Sequence, residues 1–245
     1  MSFKDLNIKP CYESGVDDII EDYYIPVLRH SVSYDRIAGF FASSSMAVVA
    51  RGLSDFIQNG GNMRLITSPR LTKEDSEVVK KIADDSKDLT LKDFGIDTDN
   101  LECEFEKNHV KALGWMLANG LLEMKLAIVV NEDGSLCDNE TISENGLFHQ
   151  KVGILRDSEG NELSFSGSIN ETAAAWVNNN EEFKVFKNWT ESKGYYLKDK
   201  QSFDDIWHGR RNNVRVYNLP TAIKHDIIRY SSDFNAESIS LRRYR

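Results

Sequence analysis

A histidine and a lysine separated by one residue stand in segment 148–155, whose apolar residues predict a β-strand. Side chains alternate between the two faces of a strand, so His149, Lys151 and Gly153 are expected on one polar face, with a core against the other. An imidazole can attack phosphorus covalently, and an ammonium group can hold a nonbridging oxygen. Gly153 would let a substrate approach closely. The spacing suits phosphodiester chemistry, although a lone His-x-Lys pair is common by chance.

A second polar pair follows a strand that is predicted to pair with the first strand. The turn at residues 157–161 completes a β-hairpin, so Ser168 and Asn170 are expected just past the return strand. Their side chains, with the first N–H groups of a following helix, would cradle an anion. Ser168 and Glu171 also match a helix capping box, a structural role that is compatible with the functional one.

In this order, the segments resemble the phospholipase D superfamily, in which His-x-Lys, Gly-Ser-x-Asn and Asn-x-Glu follow one another. The resemblance covers residues from about 14 to about 230 and includes segments 36–69 and 113–130. It is similar in particular to the phospholipase D-like domains that precede helicase motors in bacterial DNA-processing and restriction-like proteins. The matching residues are His149, Lys151, Gly167, Ser168, Asn170, Asn179 and Glu181.

The resemblance implies a role for each matching polar residue. His149 would form a phosphohistidine intermediate. Lys151 and Asn170 would bind the phosphate, with Ser168 assisting. Glu181 would accept a hydrogen bond from the imidazole of a histidine and so fix its tautomer.

Two adjacent acidic residues, Glu181 and Glu182, are candidates for the partner of the histidine. If Phe183 faces the core, a period of two puts Glu181 on the same face and Glu182 on the other, which favours Glu181. Asn179 would support the same part of the site.

One feature departs from the pattern of the superfamily, and one further His-x-Lys pair does not match it in context. An Asp is expected five residues after the Lys, but Arg156 stands there and Asp157 follows it, so Asp157 is predicted to order the hairpin turn. A second pair, His109 and Lys111, lies in a helical pattern, where residues two apart diverge by about 200 degrees. No Gly-Ser-x-Asn follows that pair, so a surface role is expected for His109.

The elements that position these residues are predicted from hydrophobic periodicity. A strand over 36–41, a helix over 46–57 and a strand over 63–67 form a strand-helix-strand unit, which favours a parallel pair. Further helices are predicted over 15–29, 73–82 and 104–119, and further strands over 122–130, 162–166, 183–186 and 214–217.

The chain length and the resemblance together lead to a fold class. With 245 residues, the chain can form one large α/β domain, or one domain with a small appendage. The resemblance implies a phospholipase D-like mixed β-sheet flanked by helices on both faces. We expect a catalytic domain over 1–190 and a helix-rich extension over 191–245 packed on it.

The composition, 40% hydrophobic and 28% charged, is that of an ordinary globular protein. No apolar run approaches the roughly 20 residues of a membrane span, and the N-terminus has no apolar signal core, so a cytoplasmic location is the default expectation. Cys11, Cys103 and Cys137 are far apart and form no Cys-x-x-Cys pair. Neither a metal nor a cofactor is expected.

The net charge of −9 argues against a protein that coats DNA nonspecifically, because such proteins neutralise phosphates with basic surfaces. It raises the chance that a helicase domain or another subunit supplies affinity for nucleic acid. The resemblance implies a metal-independent nuclease, and DNA is favoured as its substrate while RNA stays open. A phospholipase and a binding module with a vestigial site remain as alternatives. Because only one credible His-x-Lys motif is present, a homodimer with one composite active site is expected.

Overall fold

The computed structural model describes residues 2–39, 50–69, 76–94, 104–136, 150–168 and 182–232. The strands are β1 (Cys11–Glu13), β2 (Ser31–Ile37), β3 (Asn62–Thr67), β4 (Leu122–Val129), β5 (Val152–Asp157), β6 (Glu162–Gly167), β7 (Glu182–Lys187) and β8 (Val214–Asn218). They form an eight-stranded sheet in the order β1-β7-β6-β5-β2-β3-β4-β8.

The sheet is mixed. β2, β3 and β4 run parallel to one another, and the other neighbouring pairs are antiparallel. The parallel pair predicted from the strand-helix-strand unit is confirmed as β2 and β3. The predicted hairpin is confirmed as β5 and β6, whose turn is closed by a hydrogen bond of 3.0 Å from Asp157 N to Asn161 O.

Helices cover both faces of this sheet, which confirms the expected fold class. They are α1 (Ile25–His30), α2 (Ala50–Gln58), α3 (Ser76–Ala83), α4 (Glu104–Ala118), α5 (Lys193–Trp207) and α6 (Thr221–Tyr230). α1 to α4 and α6 share one core with Tyr34, Leu65 and Phe165, on the side that we call the α1 face. α5 packs on the opposite side against Ile37 and Ile154, and we call this side the α5 face. Shorter helical segments are Phe3–Asp5, Ile20–Tyr24 and Leu91–Phe94.

β2 differs most from its prediction, because it begins at Ser31 rather than at Arg36. Serine and aspartate are typical of turns, so Ser31, Ser33 and Asp35 do not indicate a strand in the sequence pattern. In the fold, Asp35 accepts a hydrogen bond of 2.7 Å from Arg64 Nε on β3. The ion pair satisfies both charged groups on the α5 face, so the strand can continue through Asp35.

The residues after 190 contribute to the same sheet. β8 pairs with β4, with Val214 opposite Val129. On α5, Tyr196 and Phe203 are buried against the α5 face. The boundary that was placed at residue 190 stays a prediction.

Candidate active site at the carboxyl end of the parallel strands

β5 begins, β6 ends and β7 begins at one end of the sheet, which we call the carboxyl end because the parallel strands β2, β3 and β4 terminate there. Val152 begins β5 opposite Ser166 on β6. Gly167 ends β6 opposite Phe183 on β7. Lys151 just before β5, Ser168 just after β6 and Glu182 at the start of β7 therefore lie at the same end of the sheet. Ligands of open α/β sheets bind at this end of the strands.

Lys151 directly precedes β5 and is only 5% exposed. Leu155 lies on the α1 face, and the alternation of the strand, continued through Gly153, places Lys151 on that face too. A buried ammonium group has lost its hydration, and it is stable only where hydrogen bonds or opposite charge replace the water. The position therefore suits a group that binds an anion.

The space above Gly153 is not open to a substrate, which corrects the role predicted for this glycine. A Cβ at Gly153 would lie 2.1 Å from Cε1 of Phe165, on the neighbouring strand. The face that was expected to be polar is a second core, since Leu155 and Phe165 are both buried there. Hydrophobic periodicity missed this because helices cover both faces of β5 and only one was foreseen as buried.

Ser168 follows β6 at the carboxyl end and forms hydrogen bonds with the first residue of β7. Its backbone N–H donates to Glu182 O at 3.1 Å, and its Oγ accepts from Glu182 N at 3.2 Å. The hydroxyl also lies 3.4 Å from Glu182 O. A serine hydroxyl has one proton and two lone pairs, so one acceptor position remains beside these contacts.

Glu182 points away from the core. Phe183 is fully buried on the α1 face, as the choice between the two acidic residues presupposed. The Glu182 carboxylate is more than half exposed and pairs with Lys184 Nζ at 3.0 Å. The alternation that was used to favour Glu181 therefore holds at the start of β7.

Four of the predicted site residues, His149, Asn170, Asn179 and Glu181, lie outside the described residues. Each is a few residues at most from a described strand end along the chain. Their roles stay predictions.

Asp157 occupies the opposite end of β5 from Lys151, where it orders the hairpin turn as predicted. Its carboxylate accepts hydrogen bonds from the backbone N–H groups of Glu159, at 2.9 Å, and Asn161, at 2.8 Å. It also accepts from Phe3 N at 2.8 Å and from Ser2 Oγ at 3.1 Å. Burial alone would raise the pKa of Asp157, but these hydrogen bonds outweigh it and lower the pKa below its ordinary value.

The second His-x-Lys pair is helical, as predicted, since His109 and Lys111 both lie within α4. Two other histidines lie at helix ends. His30 Nδ1 is 2.6 Å from Pro26 O, and His208 Nδ1 is 2.8 Å from Asp204 O. Such contacts, each with the backbone carbonyl four residues earlier, are structural.

Sequence reasoning missed two buried polar residues on the α1 face. Arg36 on β2 is 1% exposed and lies opposite Gly153. Thr67, the last residue of β3, is fully buried, and its hydroxyl has no hydrogen-bond partner among the described residues. The available signal was the charged residue Arg36 at the start of the apolar run that was predicted as a strand over 36–41.

No helix among the described residues is long and apolar enough to cross a membrane. No group of three His, Cys, Asp or Glu side chains in the same ranges could hold a metal ion.

Comparisons with known proteins bear on the fold. No protein-family model matches the chain, and no curated protein matches it. The structure is similar to NucT from Helicobacter pylori, with a TM-score of 0.49 at 14% identity, over 85% of this chain and 97% of that one. It is similar over the same shares, 85% and 97%, to Nuc from Salmonella typhimurium, a phospholipase D family member, with a TM-score of 0.45 at 14% identity.

A third similar structure is the phosphatidylserine synthase of Haemophilus influenzae Rd KW20, with a TM-score of 0.45 at 10% identity. The match covers 94% of this chain and 45% of that one, so the chain spans about half of that protein.

Proposed function

We propose that the chain is a phosphodiesterase that cleaves nucleic acid, with DNA as the preferred substrate, through a covalent intermediate on His149. One observation carries the proposal: β5, β6 and β7 bring Lys151, Ser168 and Glu182 to the same end of the sheet. His149 stands two residues before Lys151, and Asn170 stands two residues after Ser168. This closeness along the chain to the described residues supports one shared site for the motif positions.

The chemistry follows from the residue types. A nitrogen of the His149 imidazole attacks phosphorus, an N–P bond forms, and the bond from phosphorus to the leaving oxygen breaks. The leaving oxygen takes up a proton from a general acid. Water then attacks phosphorus, and the N–P bond breaks to release the phosphate product. Lys151 and Asn170 hold the nonbridging oxygens, and their charge and N–H groups stabilise the negative charge of the transition state.

The general acid is a second histidine, which we assign to a second copy of the chain. One group attacks phosphorus while the other protonates the leaving oxygen and later activates water. The pair His109 and Lys111 cannot serve, because it lies in α4 rather than at a strand end. A two-fold interface places the same residue opposite itself, so one homodimer would hold two His149 rings around one phosphate.

The acidic chain is expected to bind nucleic acid weakly by itself. With a net charge of −9, long-range attraction to DNA is weak outside a local cationic site. A helicase domain or subunit, of the kind that the motif resemblance suggests, would supply the affinity for nucleic acid. The chain itself would then provide cleavage.

Purified protein should be incubated with labelled single-stranded DNA, double-stranded DNA, RNA and phosphatidylcholine in EDTA. We expect cleavage of DNA without added metal, its loss in His149→Ala, and wild-type rates in the control His109→Ala. Activity that EDTA abolishes and only magnesium restores would reject the metal-independent mechanism. Cleavage of the lipid alone would indicate a phospholipase, and DNA binding without cleavage would indicate a vestigial site.

A further inference from the structure

Arg36 is the largest fully buried side chain among the described residues. It lies on β2, near the carboxyl end, and it is an arginine within the core of the α1 face. Arginine is rarely buried to this extent, because its guanidinium loses hydration that hydrogen bonds and opposite charge must replace. The sheet therefore holds a positive charge close to its carboxyl end.

The register of β2 and β5 places Arg36 beside Lys151. Arg36 is directly opposite Gly153, and Lys151 stands two residues before Gly153 on the same face. Diagonal neighbours of this kind in an antiparallel pair are about 7–8 Å apart at Cα, well within reach of two long side chains. An anion bound between the two side chains would be stabilised by both positive charges.

Phe165 holds the guanidinium in place. The Arg36 Cζ atom lies 5.0 Å from the centroid of the Phe165 ring. The ring in turn lies against the bare backbone of Gly153, where a Cβ would be 2.1 Å from it. Stacking uses the face of a guanidinium, while its N–H groups lie in its plane and can bind phosphate oxygens in pairs.

We propose that Arg36 is a second cation of the active site, which binds a phosphate of the substrate together with Lys151, and that Phe165 on Gly153 positions it. The inference rests on the proposed phosphodiesterase function and extends it to a residue outside the motif. Arg36 would contact the nonbridging oxygens of the phosphate that His149 attacks, or those of the phosphate next to it.

Arg64 provides a matched control. It is on β3, also stacks on an aromatic ring, with Cζ 4.8 Å from the Phe203 centroid, and faces the α5 side of the sheet. Its charge is balanced by Asp35, which accepts from Arg64 Nε at 2.7 Å. Removal of Arg64 therefore disturbs a similar stacked arginine without touching the carboxyl end of the α1 face.

The test is the dissociation constant of inorganic phosphate, measured by phosphorus NMR on wild type, Arg36→Met, Arg36→Lys, Lys151→Met and Arg64→Met. We expect phosphate to bind the wild type, with affinity weaker by about tenfold or more in Arg36→Met and Lys151→Met. Arg36→Lys should be intermediate, and Arg64→Met should match the wild type. Wild-type affinity in a folded Arg36→Met protein, or no phosphate binding by the wild type, would overturn the proposal.

A second variant keeps the test decisive if Arg36→Met does not fold. Phe165→Leu keeps the charge of Arg36 but removes the ring beneath it, and phosphate should bind several-fold more weakly. Unchanged affinity in both Phe165→Leu and Arg36→Lys would count against the proposal.

Cleavage of labelled DNA separates this inference from the proposed function. Phosphate binding that depends on Arg36, in a protein that cleaves no substrate, would retain the anion site and reject the nuclease. Cleavage at the wild-type rate by Arg36→Met, with unchanged phosphate affinity, would retain the nuclease and reject the role of Arg36.

Discussion

Gly153 and Phe165 face each other across the β5–β6 hairpin, and the aromatic ring fills the space that a side chain at Gly153 would occupy. The same ring lies beneath the guanidinium of Arg36. Gly153 therefore has a structural function. Its lack of a side chain leaves room for the Phe165 ring, which packs against the buried guanidinium of Arg36.

Gly153→Ala should destabilise the fold. The added Cβ would lie 2.1 Å from Phe165 Cε1, so the ring must move within a packed core, at a cost of about 1–3 kcal/mol in the free energy of unfolding. Urea denaturation monitored by circular dichroism measures this quantity. Gly194→Ala, at a helical glycine with nothing within 4 Å, is the control and should change stability by less than about 1 kcal/mol. If both variants changed the free energy of unfolding by the same amount, the Phe165 ring would not be packed against Gly153.

Asp157→Asn should destabilise the fold above about pH 5, by about 1–3 kcal/mol, because the amide cannot accept all the hydrogen bonds that the carboxylate accepts. The folded protein lowers the pKa of Asp157, so its contribution is fully present above the pKa of the unfolded chain. It is lost as the pH falls through the lower pKa of the folded state. The difference between variant and wild type should therefore shrink in acid.

Urea denaturation of this variant at several pH values between 2 and 7 gives the required profile. Glu159→Gln changes an exposed carboxylate in the same turn and should leave stability unchanged at every pH. A difference between Asp157→Asn and wild type that is independent of pH would contradict the assigned role of the carboxylate.

Lys151→Met should remove activity and keep the fold. Methionine fills much of the volume of the buried lysine stem, so the variant loses the charge with little loss of packing. We expect kcat/KM for DNA cleavage to fall by about 10²–10³-fold, the usual effect of removing one group that stabilises transition-state charge. Lys184→Met, at a half-exposed lysine on β7, is the control. If Lys151→Met kept the wild-type kcat/KM, Lys151 would have no role in catalysis.

Mixed dimers should reveal whether His149 is shared. If one site needs a histidine from each copy, only dimers of two wild-type chains are active, and activity falls with the square of the wild-type fraction after exchange with His149→Ala. Independent sites would give a linear fall. Exchange with His109→Ala should leave activity unchanged. Light scattering gives the stoichiometry, and full activity in a strict monomer would exclude the composite site.

The sequence by itself determined the local features of the protein. The hairpin of β5 and β6 was predictable because alternating apolar residues and the turn that contains Asp157 are encoded within a few neighbouring residues. The helical context of His109 followed from the same kind of local periodicity. These features depend on backbone period and turn chemistry, which operate over short distances along the chain.

Tertiary structure decided the surroundings of the site. Arg36 and Lys151 are more than a hundred residues apart in sequence, and they become neighbours only because β5 pairs antiparallel with β2 in the middle of the sheet. The burial of both faces of β5 depends equally on helices from distant parts of the chain. Strand pairing and the packing of helices on a sheet face depend on contacts between distant segments. The periodicity within one segment does not encode them.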